Sequence, residues 1–167
     1  MDLYILRHAI AEAREGAKEM ADSERRLTRE GKKKMYCVAE GIKAVGLGFD
    51  LILSSPYFRA KQTAEILVEV MGLGKALEIS PELAPQGNPR KLIETLNRAY
   101  AKRRSVVLVG HEPYLSSLIS LLLSGDTSLA INLKKGGLCK LTADELTYGK
   151  CATLEWLLTP RQMRSFE

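Results

Sequence analysis

Short apolar runs alternate along this chain with longer stretches in which apolar residues recur every three or four positions. The runs are DLYIL (Asp2–Leu6), DLILS (Asp50–Ser54) and SVVLVG (Ser105–Gly110). Each is bounded by polar residues and rich in leucine or β-branched side chains, which predicts strands buried on both faces, as in a parallel sheet. GGLCKLTA (Gly136–Ala143) and ATLEWLLT (Ala152–Thr159) alternate better and predict two further strands.

Between the runs, helical spacing is carried by Met35, Val38, Ala39, Ile42 and Val45 after Thr28, by Ala60, Ala64, Leu67, Val68 and Met71, and by Leu115, Leu118, Ile119 and Leu122. Asn88-Pro89 supplies an N-cap followed by proline at the first helical position, opening a helix through Leu92, Leu96 and Ala99. Gly46-Leu47-Gly48 and Gly72-Leu73-Gly74 follow two of these helices and read as C-terminal caps, not as a ligand loop. There is no internal repeat, low-complexity tract or linker.

Strands alternating with helices predict one domain over 1–167, an α/β fold. Its expected form is a three-layer α/β/α sandwich with a mostly parallel central sheet flanked by helices. In such sheets ligands collect beyond the carboxyl ends of the strands. At that edge the sequence places Arg7-His8 after the first strand, Ser54-Ser55-Pro56 after the second and Gly110-His111 after the Val106–Val109 strand. The two histidines of the chain are both there.

Composition narrows the class without naming a partner. A chain of 167 residues, 46% hydrophobic and 27% charged, fits an ordinary soluble globular protein. Cys37, Cys139 and Cys151 form no CxxC pair, which points to free thiols in a cytoplasmic protein instead of a disulfide framework or zinc site. No signal peptide is expected before LYIL, and the apolar run Leu118–Leu123 is too short for a membrane span. The net charge of +5 attracts anions of any kind. Its clusters at Arg25-Arg26, Lys32–Lys34, Lys102–Arg104 and Lys134-Lys135 read as solvated faces. With 6% aromatic residues and no recognisable motif, no nucleic-acid role is expected.

The converging groups suggest chemistry on phosphorus. Arg7 and Arg59, the latter one turn into the helix after SSPYF, can hold phosphate oxygens in a bidentate fork. Cations near His8 and His111 depress imidazole pKa values and keep a ring neutral and nucleophilic near pH 7. The arginines would then stabilise charge on the equatorial oxygens during in-line attack. Two histidines without a carboxylate cluster make a poor metal set, so neither metal nor other cofactor is expected. Ser54, Ser55 and Ser116 sit in no G-x-S-x-G elbow, and Ser54-Ser55 reads as a strand end capping the next helix. The absence of a G-x-x-x-x-G-K-[ST] loop argues against an NTPase.

LRHA near the N-terminus, SSPYFRAKQTAE after the second strand and VGHEPYL after a later one resemble the histidine phosphatase superfamily, whose fold is phosphoglycerate-mutase-like. RRLTREG, PELAPQG and WLLTP further resemble its small bacterial phosphohistidine phosphatases of the SixA type, in order along nearly the whole chain. The resemblance implies that His8 is the nucleophile and that Arg7, Arg59 and His111 form a pocket for a phosphate or sulfate anion. Arg25 matches a further pocket arginine, although Arg26 replaces the usual proline beside it. Ala9 stands where most members have glycine, and a positive φ would strain alanine there. The proton donor stays open between Glu82 and Glu112. Glu82 could instead anchor a loop, and Glu112 could cap the following helix.

Phosphohistidine phosphatases of this resemblance lack a well-defined acid, in keeping with imidazole being a better leaving group than an alkoxide. Sugar-phosphate mutases of the superfamily carry long insertions between the positions matching Arg59 and His111. Here that interval is read as one short strand and one helix, which predicts a lidless, shallow site. The expected activity is metal-independent hydrolysis of phosphohistidine on a protein partner. A phosphatase for a small metabolite and a phosphoprotein-binding module without turnover remain the alternatives.

Overall fold

The computed structural model describes residues 1–14 and 20–166. Its six-stranded sheet has a parallel portion made of β1 (Asp2–Arg7), β2 (Leu51–Ser54), β3 (Leu77–Ile79) and β4 (Ser105–Gly110). Two antiparallel strands, β5 (Leu138–Thr142) and β6 (Thr153–Leu158), extend it, giving the order β3-β2-β4-β1-β5-β6. The helices are α1 (Arg29–Ala44), α2 (Phe58–Met71), α3 (Pro89–Ala99), α4 (Tyr114–Ser124) and α5 (Pro160–Arg164). The layered α/β architecture expected from the sequence is the one observed.

Alternation within the strands sorts their side chains into two cores. Leu3, Ile5, Leu53, Val106 and Leu108 pack on one face with Leu92 and Leu96 of α3 and Leu115 and Leu118 of α4. Tyr4, Leu6, Ile52, Val107 and Val109 pack on the other with Met35 and Ile42 of α1, Ala64 and Leu67 of α2, and Met163 of α5. Burial on both faces is why these strands read as continuous apolar runs. Each fully buried Leu, Ile or Val contributes roughly 1.5–3 kcal/mol.

The helix ends follow local chemistry. Thr28 Oγ1 accepts the Gly31 N–H at the start of α1, and Asn88 Oδ1 accepts the Arg90 and Lys91 N–H groups ahead of α3. Gly46 and Gly72 end α1 and α2 with φ of 74° and 65°, the left-handed geometry that glycine adopts without cost. One expectation fails at α2. Its N-cap is Tyr57, which makes no side-chain cap, and Ser55, two residues earlier, accepts only the Tyr57 N–H at 3.3 Å and no N–H of the first turn.

The sequence reading missed two elements. β3 is a three-residue edge strand with one half-buried and two exposed residues, too short and too wet to show a period. α5 has five residues, too few for a hydrophobic period, and its local signals are the Thr159–Gln162 capping box and Pro160 at the first helical position. Cys139 is buried, Cys37 and Cys151 are half-buried, and none is bonded to another. Among the described residues no helix is long and apolar enough to cross a membrane.

Register brings the polar clusters together. Arg7 lies opposite Gly110 and Ser54 opposite Val109, so β1, β4 and β2 end side by side. The ladder runs one residue further on each side, with the His8 N–H on the Gly110 carbonyl at 3.0 Å and the Ser55 N–H on the Val109 carbonyl at 2.9 Å. The segment after His8 is fastened to the approach to α1. The Thr28 N–H donates to the Ile10 carbonyl, and Ala11 bridges Leu27. Gly31 permits this approach, since a β-carbon there would lie 2.0 Å from the Ile10 carbonyl oxygen. Gly31→Ala is therefore expected to lower unfolding stability by about 1–3 kcal/mol, as an overpacked core position does. Urea denaturation checks this against Gly48→Ala, where nothing lies within 4 Å; equal midpoints for the two variants would contradict it.

Candidate functional site

His8 and His111 follow β1 and β4 directly, while Arg59 is the second residue of α2. All three are nearly closed off from solvent, at 6%, 1% and 4% exposure, so only the tip of an incoming group reaches them. His8 Nδ1 lies 2.7 Å from the Ala9 carbonyl oxygen, an acceptor that requires an N–H opposite it. Arg59 Nε–H donates to His8 Nε2 at 3.4 Å, which requires a lone pair there. The network thus assigns a neutral ring with its proton on Nδ1 and its unshared pair on Nε2. Burial pushes the His8 pKa down to about 3, and the charges of Arg59, Arg7 and Lys135 add to this against the opposing Ala9 hydrogen bond. The His111 ring centroid is 5.2 Å from that of His8. Its pKa also falls to about 3, through burial first and then the Arg59 charge.

The arginines are held by one carboxylate that the sequence did not reveal. Asp22, in a 3₁₀ turn before α1, accepts Arg59 Nη2–H at 3.1 Å and Arg25 Nη1–H at 2.8 Å, while its carbonyl takes Arg59 Nη1–H at 2.7 Å. Burial alone would raise the Asp22 pKa, but hydrogen bonds and charge from Arg25 and Arg59 hold it below the usual carboxylate value. Arg25 Nε–H also donates to the Glu12 carbonyl at 2.9 Å. On the other side Arg7 Nη1–H reaches the Leu133 carbonyl at 3.0 Å. Arg7 Nε and His111 Nδ1 are buried without a protein partner among the described residues. A tetrahedral oxyanion suits that donor set.

These residues line a cleft of about 400 Å³, with Lys135, Pro85, Gln86 and Glu112 completing its walls and Arg14 at its rim. Lys135 faces the reaction centre, whereas the sequence reading had counted Lys134-Lys135 as a solvated face. A larger depression of about 690 Å³ near Met1, Asn97 and Lys102 contains neither histidine. Between Arg59 and His111 the chain holds the rest of α2, two strands and α3, one strand more than expected. Of this stretch the cleft receives Pro85 and Gln86.

The two acid candidates part company. Glu82 accepts the Asn88 N–H at 3.2 Å, the loop-anchoring placement, and is not among the cleft residues. Glu112 lines the cleft while its Oε1 accepts the Ser116 N–H at 2.9 Å in the first turn of α4, so capping and access to substrate coexist. No described non-glycine residue has a positive φ, so Ala9 is unstrained, and its N–H donates to Thr63 Oγ1 at 3.0 Å. Ser55 is the residue whose reading changes most. Instead of capping α2, its hydroxyl lies 2.7 Å from His111 Nε2. Among the described residues no group of three or more His, Cys, Asp or Glu is placed to hold a metal ion.

Both histidines carry a pKa of about 3 when folded against 6.5 in an unconstrained chain. Between those values the unfolded state binds protons that the native state refuses. Their contribution is complete above 6.5 and is lost as pH falls toward 3. The urea midpoint in phosphate-free buffer is expected to drop between pH 7 and pH 5, and His8→Gln with His111→Gln should flatten the slope. An unchanged slope in the double variant would contradict the buried neutral assignment.

Comparison with known proteins identifies relatives of the same fold. The family model for the histidine phosphatase superfamily (branch 1) matches residues 3–85, which include Arg7, His8, Asp22, Arg25 and Arg59. An uncharacterized protein of Picosynechococcus sp. is 39% identical over 142 residues, 84% of each chain. Phosphohistidine phosphatase SixA of Escherichia coli is 28% identical over 166 residues, 98% of this chain and 97% of that one. A solved structure of the protein histidine phosphatase SixA complexed with tungstate superposes with a TM-score of 0.83 at 27% identity, over 98% of this chain and 99% of the other. The chain belongs to the histidine phosphatase superfamily, within which it is similar to SixA over nearly its whole length.

Proposed function

We propose that this protein is a metal-independent phosphatase that removes the phosphoryl group from phosphohistidine on a protein partner in the cytoplasm, by way of a phosphorylated His8. The observation that carries the reading is the buried, neutral His8 ring, with Nε2 unprotonated beside Arg59 and its proton held by the Ala9 carbonyl. Nε2 attacks phosphorus, a new N–P bond forms, and the N–P bond to the substrate imidazole breaks. That imidazole leaves with its electron pair and takes a proton from Glu112 or water. Water then attacks the phosphoryl group on His8, yielding inorganic phosphate and restoring the ring. Arg7, Arg25 and Arg59 offset the charge of the equatorial oxygens in both steps, and His111 holds one of them.

The choice of a phosphohistidine substrate rests on what the cleft contains. Asp22 is committed to two arginines and is held ionised, which leaves Glu112, among the described residues, as the cleft carboxylate placed to serve as proton donor. A substrate whose leaving group departs readily asks little of that one donor. The walls also suit a protruding phosphorylated side chain, since the interval between Arg59 and His111 adds two cleft residues and no covering segment. That the similar protein histidine phosphatase SixA is complexed with tungstate, a tetrahedral oxyanion, supports an oxyanion ligand for a chain of this fold.

A side-by-side comparison of kcat/KM on a phosphohistidine-bearing carrier protein and a panel of sugar phosphates tests the substrate. The carrier protein is expected to win; preference for a sugar phosphate would make this a metabolite phosphatase, and turnover of neither would make it a binding module. His8→Ala is expected to lose activity by on the order of 10⁴-fold or more, as removal of a nucleophile does. Wild-type turnover should survive EDTA.

A further inference from the structure

We infer that Ser55 is a positioning residue that fixes the tautomer of His111, holding the ring proton on Nδ1 so that His111 meets the phosphoryl group as a hydrogen-bond donor. The inference rests on the proposed phosphatase reading for its ligand, though not for its internal logic. Ser55 is 0% exposed. Its hydroxyl oxygen has two neighbours within hydrogen-bond reach, the Tyr57 backbone nitrogen at 3.3 Å and His111 Nε2 at 2.7 Å.

The Tyr57 N–H can only donate, so it occupies a lone pair of Ser55 Oγ. If His111 Nε2–H donated as well, the hydroxyl would receive two N–H groups, and its own hydrogen would need another acceptor in a closed site. None lies within reach among the described residues. The nearby Ser55 carbonyl already takes the Ser54 hydroxyl at 2.9 Å. The arrangement that satisfies the hydroxyl and both of its neighbours has Ser55 O–H donating to His111 Nε2, which places the proton of the neutral ring on Nδ1. That nitrogen is buried and lacks a protein partner. Tyr57 packs edge-on against the ring at 5.2 Å and restrains its rotation.

The two imidazoles therefore divide the work. The Ala9 carbonyl fixes the proton of His8 on Nδ1 and leaves the attacking pair on Nε2, where an incoming phosphoryl group displaces the long Arg59 Nε–H contact. Ser55 sets the same tautomer in His111, but there Nε2 is the anchored atom and Nδ1–H is the uncommitted donor. In the opposite tautomer His111 would offer a lone pair to a phosphate oxygen, and the contact would turn from attraction to repulsion.

Long-range proton–nitrogen NMR reads both rings directly, and the chain has only two histidines to assign. Wild type, Ser55→Ala and Ser55→Thr are compared at pH 7, each then titrated with inorganic phosphate. The wild type is expected to show Nδ1–H at His111. In Ser55→Ala the proton should shift wholly or partly to Nε2 and phosphate affinity fall about tenfold, the scale of one hydrogen bond to a charged group. Ser55→Thr should restore both. A wild-type His111 protonated on Nε2, or an unmoved tautomer in Ser55→Ala, would overturn the inference. If the alanine variant does not fold, the wild-type tautomer decides. Failure of wild type to bind phosphate, with the tautomer as expected, strikes the phosphatase reading and the donor role but leaves the serine–histidine pairing standing.

Discussion

An arginine donating to the bare nitrogen of a buried histidine is a contact that survives only while the ring is uncharged. Protonation of His8 would set a cation against Arg59 in a site with little water to screen them, beside Arg7 and Lys135. Burial and the surrounding cations enforce the neutral state, and the Ala9 carbonyl selects the tautomer within it. The Ala9 carbonyl claims one nitrogen, and the Ala9 N–H is itself fixed by Thr63 on α2, the helix that supplies Arg59. Loop and helix thus place nucleophile and cation by a shared set of bonds, independent of substrate.

Concentrating positive charge in this way needs an internal counterweight. Asp22 provides it by taking Arg59 and Arg25 on its two carboxylate oxygens, an arrangement that keeps both guanidiniums at fixed angles. A carboxylate bound to two cations holds its own charge and makes a poor proton donor. The same residue that organises the pocket therefore removes itself as an acid, which among the described residues leaves Glu112 in the cleft. This is a physical reason for a site of this kind to favour leaving groups that need little help.

Much of this was legible in the sequence, and the reason is register. A buried parallel strand writes its apolar run plainly, and the residues just past its end fall at one edge whatever the helices do. Arg7, His8, Arg59 and His111 could be gathered from that rule, and Arg25 from the family resemblance. Asp22 could not. It sits in a short 3₁₀ turn with no periodicity, and its role depends on Arg59, distant along the chain, as well as on the nearby Arg25. Ser55 was visible but misassigned, because a serine after a strand and before a helix is a natural cap. Only the tertiary contact with His111 diverts its hydroxyl. Lys135 looked like one more surface cation until the loop before β5 folded it over the cleft.

The account turns on which atom of which ring accepts the phosphoryl group. Rapid quenching of the enzyme in turnover with labelled substrate, followed by digestion under alkaline conditions and isomer-resolved spectroscopy of the labelled peptide, reads that atom directly. The expected adduct is an acid-labile phosphoryl group on Nε2 of His8. Label on Nδ1 of that ring, on His111, or on no residue during active turnover would contradict the account.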